Sequence, residues 1–156
     1  MSLLFRALTP EDLAAMQALE NQAHTHPWTR QTLASSFGAR YFTGSLWTAA
    51  TSLEPKGTLQ GYFVADKVLD ESTLMNICVA PSAQRQGLGR QLMTHYLRLC
   101  RERDITQHWL EVRASNIGAQ ALYAAMDYQE YSVRHDYYPT AKGWEDAVLM
   151  AFKVYD

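Results

Sequence analysis

Residues 74–93, LMNICVAPSAQRQGLGRQLM, constrain the fold more than any other stretch of the chain. An apolar run with strand character stops at Pro81, which has no N–H to give a ladder. A short loop carrying Gly87 and Gly89 follows. Beyond it Leu88, Leu92, Tyr96, Leu99 and Cys100 recur at helical spacing and predict an amphipathic helix. A strand feeding a glycine loop into a helix leaves several main-chain N–H groups unpaired at the positive end of the helix dipole. Gly87 and Gly89 have no Cβ to hold a ligand away, and Arg85 and Arg90 flank them. That combination suits a phosphate or a diphosphate. Two glycines before a helix also occur in plain strand-to-helix turns, so the glycines alone leave both readings open. The dinucleotide fingerprint is excluded, because its third glycine would fall at Leu92, and no Gly-Lys-Ser/Thr of a P-loop follows.

The rest of the chain bounds the possibilities. Its 156 residues suit one domain spanning 1–156, and 47% hydrophobic with 19% charged residues is ordinary globular composition. A net charge of -2 offers no footprint for direct nucleic-acid binding. The first twenty residues hold Arg6, Glu11, Asp12 and Glu20 without an apolar run, so neither a membrane span nor a signal segment is expected, and a cytoplasmic location is. Cys78 and Cys100 both lie in apolar surroundings and are expected as buried thiols rather than a disulfide. Two cysteines in no recognisable ligand spacing are too few for a zinc site, so no metal site is expected.

Taken in order, residues 3–8 predict a strand, and Thr9-Pro10-Glu11-Asp12 the start of a helix reaching Ala23. His24-Thr25-His26-Pro27-Trp28 breaks it, and Thr29 caps a short helix through Leu33. Glu20, His24 and His26 evoke a metal, yet their spacing matches no ligand pattern, and surface histidines are the commoner outcome. Period-two alternation then predicts antiparallel strands over 41–51, 59–68 and 72–79. After the glycine loop and its helix come a strand at 109–112, a helix capped by Ser115 or Asn116, and strands at 128–133 and 147–154 around a 137–144 loop. The order predicts a mixed, mostly antiparallel α/β sheet with helices on both faces.

The motif Gln84-x-x-Gly87-x-Gly89 after a strand resembles the acetyl-CoA-binding motif of the Gcn-related N-acetyltransferase (GNAT) family, and the element order is the one that family uses. Further blocks are similar to its bacterial RimI-type branch, the ribosomal-protein-alanine N-acetyltransferases: His26-Pro27-Trp28, Val68-Leu69-Asp70-Glu71, the run from Trp109 to Asn116, Ala121-Leu122-Tyr123, and Tyr137-Tyr138-Pro139-Thr140. One departure is Asp127, where the family has glycine.

The resemblance implies acetyl transfer from acetyl-CoA to the N-terminal alanine of a small-subunit ribosomal protein, whose N-terminal peptide is the partner. Relatives acting on another amine, or a CoA-binding module without turnover, are the alternatives. It further implies that Ile77, Cys78, Val79, Arg85, Gln86, Gly87, Leu88, Gly89, Arg90 and Asn116 hold the cofactor. On residue chemistry Glu111, flanked by Trp109, Leu110 and Val112, is a candidate proton acceptor, although alternation equally allows a solvent-facing ion pair, for example with Arg113. Tyr123 is a candidate donor to the departing thiolate and equally a core tyrosine; the resemblance assigns Glu111 and Tyr123 the catalytic roles. A backbone N–H in the 77–79 strand, that of Val79, is the expected oxyanion donor. Trp28, Tyr137 and Tyr138 are candidate walls of a peptide groove, and Asp70, Glu71, Glu145 and Asp146 a possible attraction for a basic peptide. An α-amine, with reference pKa about 7.7–8.0 against about 10.4 for lysine, costs roughly 3.4 kcal/mol less to neutralise at pH 7. One ordinary carboxylate therefore suits an N-terminal amine better than a lysine.

Overall fold

The structure, a computed structural model, describes residues 3–83 and 87–152. Seven strands form one sheet: β1 (Leu3–Arg6), β2 (Tyr41–Thr48), β3 (Leu59–Asp66), β4 (Glu71–Val79), β5 (Gln107–Arg113), β6 (Tyr128–Thr140) and β7 (Gly143–Phe152), in the order β1-β2-β3-β4-β5-β7-β6. Every neighbouring pair is antiparallel except β4 with β5, which run parallel. Four helices cover it: α1 (Leu13–Ala23), α2 (Arg30–Ser35), α3 (Leu88–Glu102) and α4 (Ile117–Ala125).

Local chemistry explains the helix starts. The Asp12 carboxylate accepts the Thr9 N–H at 2.8 Å and grips Arg6 through two bonds of 2.9 and 3.0 Å, fixing the 3-10 turn Pro10–Asp12 that leads into α1. The Thr29 hydroxyl accepts the Thr32 N–H at the head of α2, and the Asn116 side chain accepts the Ala119 N–H at the head of α4.

Alternation along β3 divides the two faces. Tyr62 turns toward α1, where its hydroxyl meets Glu20, and Phe63 turns toward α3, where its ring meets Tyr96 at 5.3 Å. The stripe on α3 is buried at Leu88, Leu92, Met93, Tyr96 and Cys100. Tyr96 is wholly enclosed and shares a 2.7 Å hydroxyl hydrogen bond with Ser72. The helix can approach this closely because of Gly61: a Cβ there would lie 2.9 Å from the Cys78 carbonyl and 3.0 Å from a Leu92 methyl. Both cysteines are free and buried, as expected.

The largest departure from expectation is at the end of the chain. The expected 137–144 loop is instead a hairpin in which β6 runs on to Thr140 and β7 begins at Gly143, with Pro139 paired to Trp144. Proline is tolerated because β6 is the edge of the sheet, where a missing N–H costs no ladder bond. Irregularities between Glu130 and Ser132 and between Arg134 and Tyr138 bend this long ribbon. The strands predicted over 41–51 and 59–68 stop earlier, at Thr48 and Asp66, and residues 153–154 of the last expected strand lie outside the described residues. No helix among the described residues is long and apolar enough to cross a membrane.

Asp127, which follows α4 at φ 72°, holds the left-handed position that glycine fills best. Asp127→Gly is therefore expected to raise stability by about 0.5–1 kcal/mol. A urea melt reads the shift directly, and a destabilised variant would mean that the carboxylate supplies more than the backbone strain costs.

Candidate active site

The sheet comes apart at its centre. β4 and β5 pair from Glu71 with Gln107 to Leu74 with Leu110, and no further. Beyond that point β4 keeps its ladder with β3, and β5 keeps its own with β7, so the two strands diverge and leave an opening between them. The cause is visible in the register of β4: Ala65 opposes Leu74, Val64 opposes Asn76, and Met75 is the extra residue of a bulge. Ladder alternation then decides which amides face the opening. The Ala80 N–H donates to the Gln60 carbonyl, so the pairs Tyr62–Cys78 and Val64–Asn76 are also the bonded ones. Ile77 and Val79, lying between them, turn their main-chain groups away from β3 and into the opening. Cys78 differs: its main chain is engaged with Tyr62, and its side chain is buried on the α1 face.

One end of this opening leads to the head of α3. Gly87 caps the helix at φ 78°, and the first intrahelical bond runs from the Gln91 N–H to the Gly87 carbonyl. The N–H groups of Gly87, Leu88, Gly89 and Arg90 accordingly have no intrahelical acceptor. Among the described residues a Cβ on Gly87 would meet nothing within 4 Å, so none of them covers this face of the helix end. Gly89 serves another purpose. A Cβ there would sit 3.1 Å from Leu122 of α4, so its missing side chain lets the two helices approach. The Leu88 side chain is buried, leaving only its main chain for a ligand, whereas Arg90 is exposed. Gln84, Arg85 and Gln86 lie outside the described residues.

At the other end are the groups suited to proton transfer. Glu111 on β5 is 22% exposed and pairs with Arg134 of β6, Nε to Oε1 3.2 Å; Arg113, the partner considered from sequence, pairs with Glu145 instead, at 3.8 Å. Tyr123 is buried on α4, and burial, helped by nearby Tyr138, pushes its hydroxyl well above the usual tyrosine range. Tyr138 is electrostatically coupled to both candidates. Its hydroxyl is pushed up to about 12, first by burial and then by Glu111 and Tyr137, against the pull of Arg113 and Arg134. The structure thus brings Glu111, Tyr123, Tyr137 and Tyr138 to one place, with Arg113 over the Tyr138 ring at 4.5 Å and Arg134 over the Tyr137 ring at 5.4 Å. Asn116 caps α4 beside them.

Trp28 approaches from the α1–α2 loop, which a buried carboxyl group anchors. Glu20, 1% exposed, accepts the Trp28 N–H at 2.8 Å, the Tyr62 hydroxyl at 2.5 Å and the Asn76 amide at 2.8 Å. A single side chain therefore ties the loop, β3 and the bulged part of β4 together. Across the opening, Glu145 is held below its ordinary range chiefly by the Ser115 hydroxyl, with smaller pulls from the Ser115 N–H, Arg113 and His26 outweighing burial. The acids considered as a lure for a basic peptide have internal partners: Asp146 takes His135 and the Asp136 N–H, Glu71 the Trp109 indole, and Asp70 the Thr106 hydroxyl. Sequence reasoning weighed Glu20 only as a possible metal ligand and missed its anchoring role, and it missed Arg134, since neither stands in a motif that distinguishes it from an ordinary helix or strand residue.

The model of the acetyltransferase (GNAT) family matches residues 13–128. The chain belongs to the GNAT family. Among curated proteins it is 41% identical to the [ribosomal protein bS18]-alanine N-acetyltransferase of Escherichia coli (strain K12), over 95% of each chain. It is 35% identical to the enzyme of that name from Haemophilus influenzae, over 90% of this chain and 91% of the other. The crystal structure of the Escherichia coli ribosomal-protein-S18-alanine N-acetyltransferase superposes with a TM-score of 0.89 at 40% identity, covering 97% of this chain and 93% of that one. Arabidopsis thaliana NAA60 in complex with acetyl-CoA shares the fold, with a TM-score of 0.85 at 15% identity over 97% of this chain and 98% of that one. As a member of this family the protein is an acetyl-CoA-dependent N-acetyltransferase. The residues present suit that co-substrate: an open glycine cap, unpaired helix N–H groups, and a parted strand edge leading from them toward Glu111.

Gly87→Val tests the helix end. A β-branched residue at φ 78° is strained by about 1–2 kcal/mol, so the free protein relaxes there and must be re-strained on binding. CoA affinity measured by calorimetric titration is expected to drop about tenfold with the fold retained. Unchanged affinity would remove this loop from the cofactor site.

Proposed function

We propose that this protein moves the acetyl group of acetyl-CoA onto the α-amine of the N-terminal alanine of ribosomal protein bS18. The observation that carries the reading is the 41% identity, along 95% of both chains, to a curated enzyme of that specificity. The site chemistry is consistent with it. Cofactor phosphates belong at the Gly87–Arg90 amides, with Asn116 at the rim; Arg85 and Gln86, outside the described residues, stay candidates on the motif alone. The pantetheine arm lies along the 77–79 edge of β4. The Ile77 amide faces the opening and is the proposed donor to the oxygen that gains charge during transfer, with Val79 turned the same way.

Glu111 is the proposed proton acceptor. Arg134 occupies it in the structure, so an incoming ammonium exchanges one cation for another at that carboxylate. Tyr123 is the proposed partner of the departing sulfur. Burial holds its proton tightly, so it serves by hydrogen bonding to the thiolate and not by surrendering the proton completely. Trp28, Tyr137 and Tyr138 are the proposed walls of the peptide groove.

Incubation with acetyl-CoA and peptides beginning with Ala, Ser or Met, alongside one blocked at its N-terminus, separates the possible acceptors. Mass spectrometry is expected to place one acetyl group on the α-amine of the Ala peptide and none on the blocked peptide. Acetylation of a lysine in the blocked peptide, with the Ala peptide untouched, would contradict the proposal. Glu111→Gln is expected to lower kcat/KM by roughly 10²–10⁴-fold, the usual worth of a positioned base. Turnover equal to wild type would put the base elsewhere.

A further inference from the structure

Folding brings together three metal-ligating side chains that the sequence keeps apart. Glu20 and His24 stand one turn apart at the end of α1, and Cys78 projects from β4 against them. One ligand atom from each lies within 4.8 Å of the other two, and His24 Nε2 is 3.8 Å from Glu20 Oε1. His24 Nε2 is buried and has no hydrogen-bond partner, an uncommon state for an enclosed ring nitrogen. The Glu20 carboxyl group is already oriented by Tyr62, Asn76 and Trp28, as metal-bound carboxylates are by their outer partners. Its Oε2 accepts one hydrogen bond, from the Trp28 N–H, which leaves it acceptor capacity. The cluster lies on the α1 face of the sheet, behind the β4 strand whose main chain borders the opening.

We propose that Glu20, His24 and Cys78 form a binding site for Zn²⁺, with water as the fourth ligand. Sulfur, imidazole and carboxylate together favour zinc over the hard cations Mg²⁺ and Ca²⁺, which take oxygen. Metal–ligand bonds of about 2.0–2.3 Å in a tetrahedron separate the ligand atoms by about 3.3–3.6 Å. His24 Nε2 lies 3.8 Å from the other oxygen of the Glu20 carboxylate, Oε1, and one ligand atom from each residue lies within 4.8 Å of the other two, so rotation of the His24 and Cys78 side chains toward Oε2 closes the rest. His24 remains 34% exposed, which gives the ion a way in. Cys78 is a free, buried cysteine and carries its thiol proton before binding. Zn²⁺ forms the Zn–S bond as the S–H proton leaves to solvent, and the site gains one positive charge in all. The bound ion staples the end of α1 to β4.

The test is titration of chelator-treated full-length protein with Co²⁺, followed by displacement with Zn²⁺. Wild type is expected to bind one equivalent with the near-ultraviolet thiolate-to-cobalt charge-transfer band and the intense visible bands of a four-coordinate ion. Cys78→Ser is expected to lose the charge-transfer band, and Cys100→Ser to keep it. Loss of outer partners alone costs 10–100-fold, so loss of a ligand in His24→Ala should lower Zn²⁺ affinity at least about tenfold. No charge-transfer band in wild type, or its persistence in Cys78→Ser, would overturn the site. If Cys78→Ser fails to fold, the partly exposed His24→Ala decides, because unchanged Zn²⁺ affinity there also overturns it.

Discussion

The parting of β4 from β5 is the constraint on which the site depends. A continuous parallel pair would bond the Ile77 and Val79 main chain to β5 and leave the chemistry no room. The bulge at Met75 prevents that, and Asn76, immediately after it, is tied to Glu20. The same carboxyl group takes the Tyr62 hydroxyl from β3 and the Trp28 amide from the α1–α2 loop, so one buried side chain holds the strand, its neighbour and the loop in fixed relation. Losing any one of these partners strands a buried polar group, which costs on the order of 1–3 kcal/mol. The price is steep enough to keep the geometry fixed.

Around that opening the chain divides its labour by element. The head of α3 offers positive dipole and free N–H groups at one end, and the β5–β6–α4 cluster offers a carboxylate and phenols at the other. Gly61 and Gly89 make the division possible by letting α3 lie close to β3 and to α4. The arginines across the β6–β7 ribbon keep the cluster in order: Arg134 on Glu111 and Tyr137, Arg113 on Glu145 and Tyr138. On the role proposed for Glu111, the Arg134 cation rests where the substrate ammonium would come.

Much of this was legible in the sequence. Period and capping residues gave α1, α2, α3 and α4 their places because those signals are local: Thr29 and Asn116 cap as expected, and Asp127 adopts the left-handed backbone its family position demands. The hairpin at 137–144 was hidden because Pro139 and Gly143 carry loop signals whose meaning changes at a sheet edge. The bulge at Met75 has no residue signature, since it exists only relative to β3. Glu20 and Arg134 were illegible for a similar reason, being defined by partners 42 and 56 or 23 positions away in the chain. The family motif singles out Gly89, yet its contact with Leu122 required the helices to be seen together.

A crystal structure with CoA joined through an acetyl bridge to an alanine-first peptide tests the role of the parted strands most directly. The diphosphate should rest on the amides at the head of α3, the bridge should pass between Ile77 and Glu111, and Arg134 should have left the Glu111 carboxylate. A bridge lying outside the opening, with the Arg134–Glu111 pair intact, would contradict it.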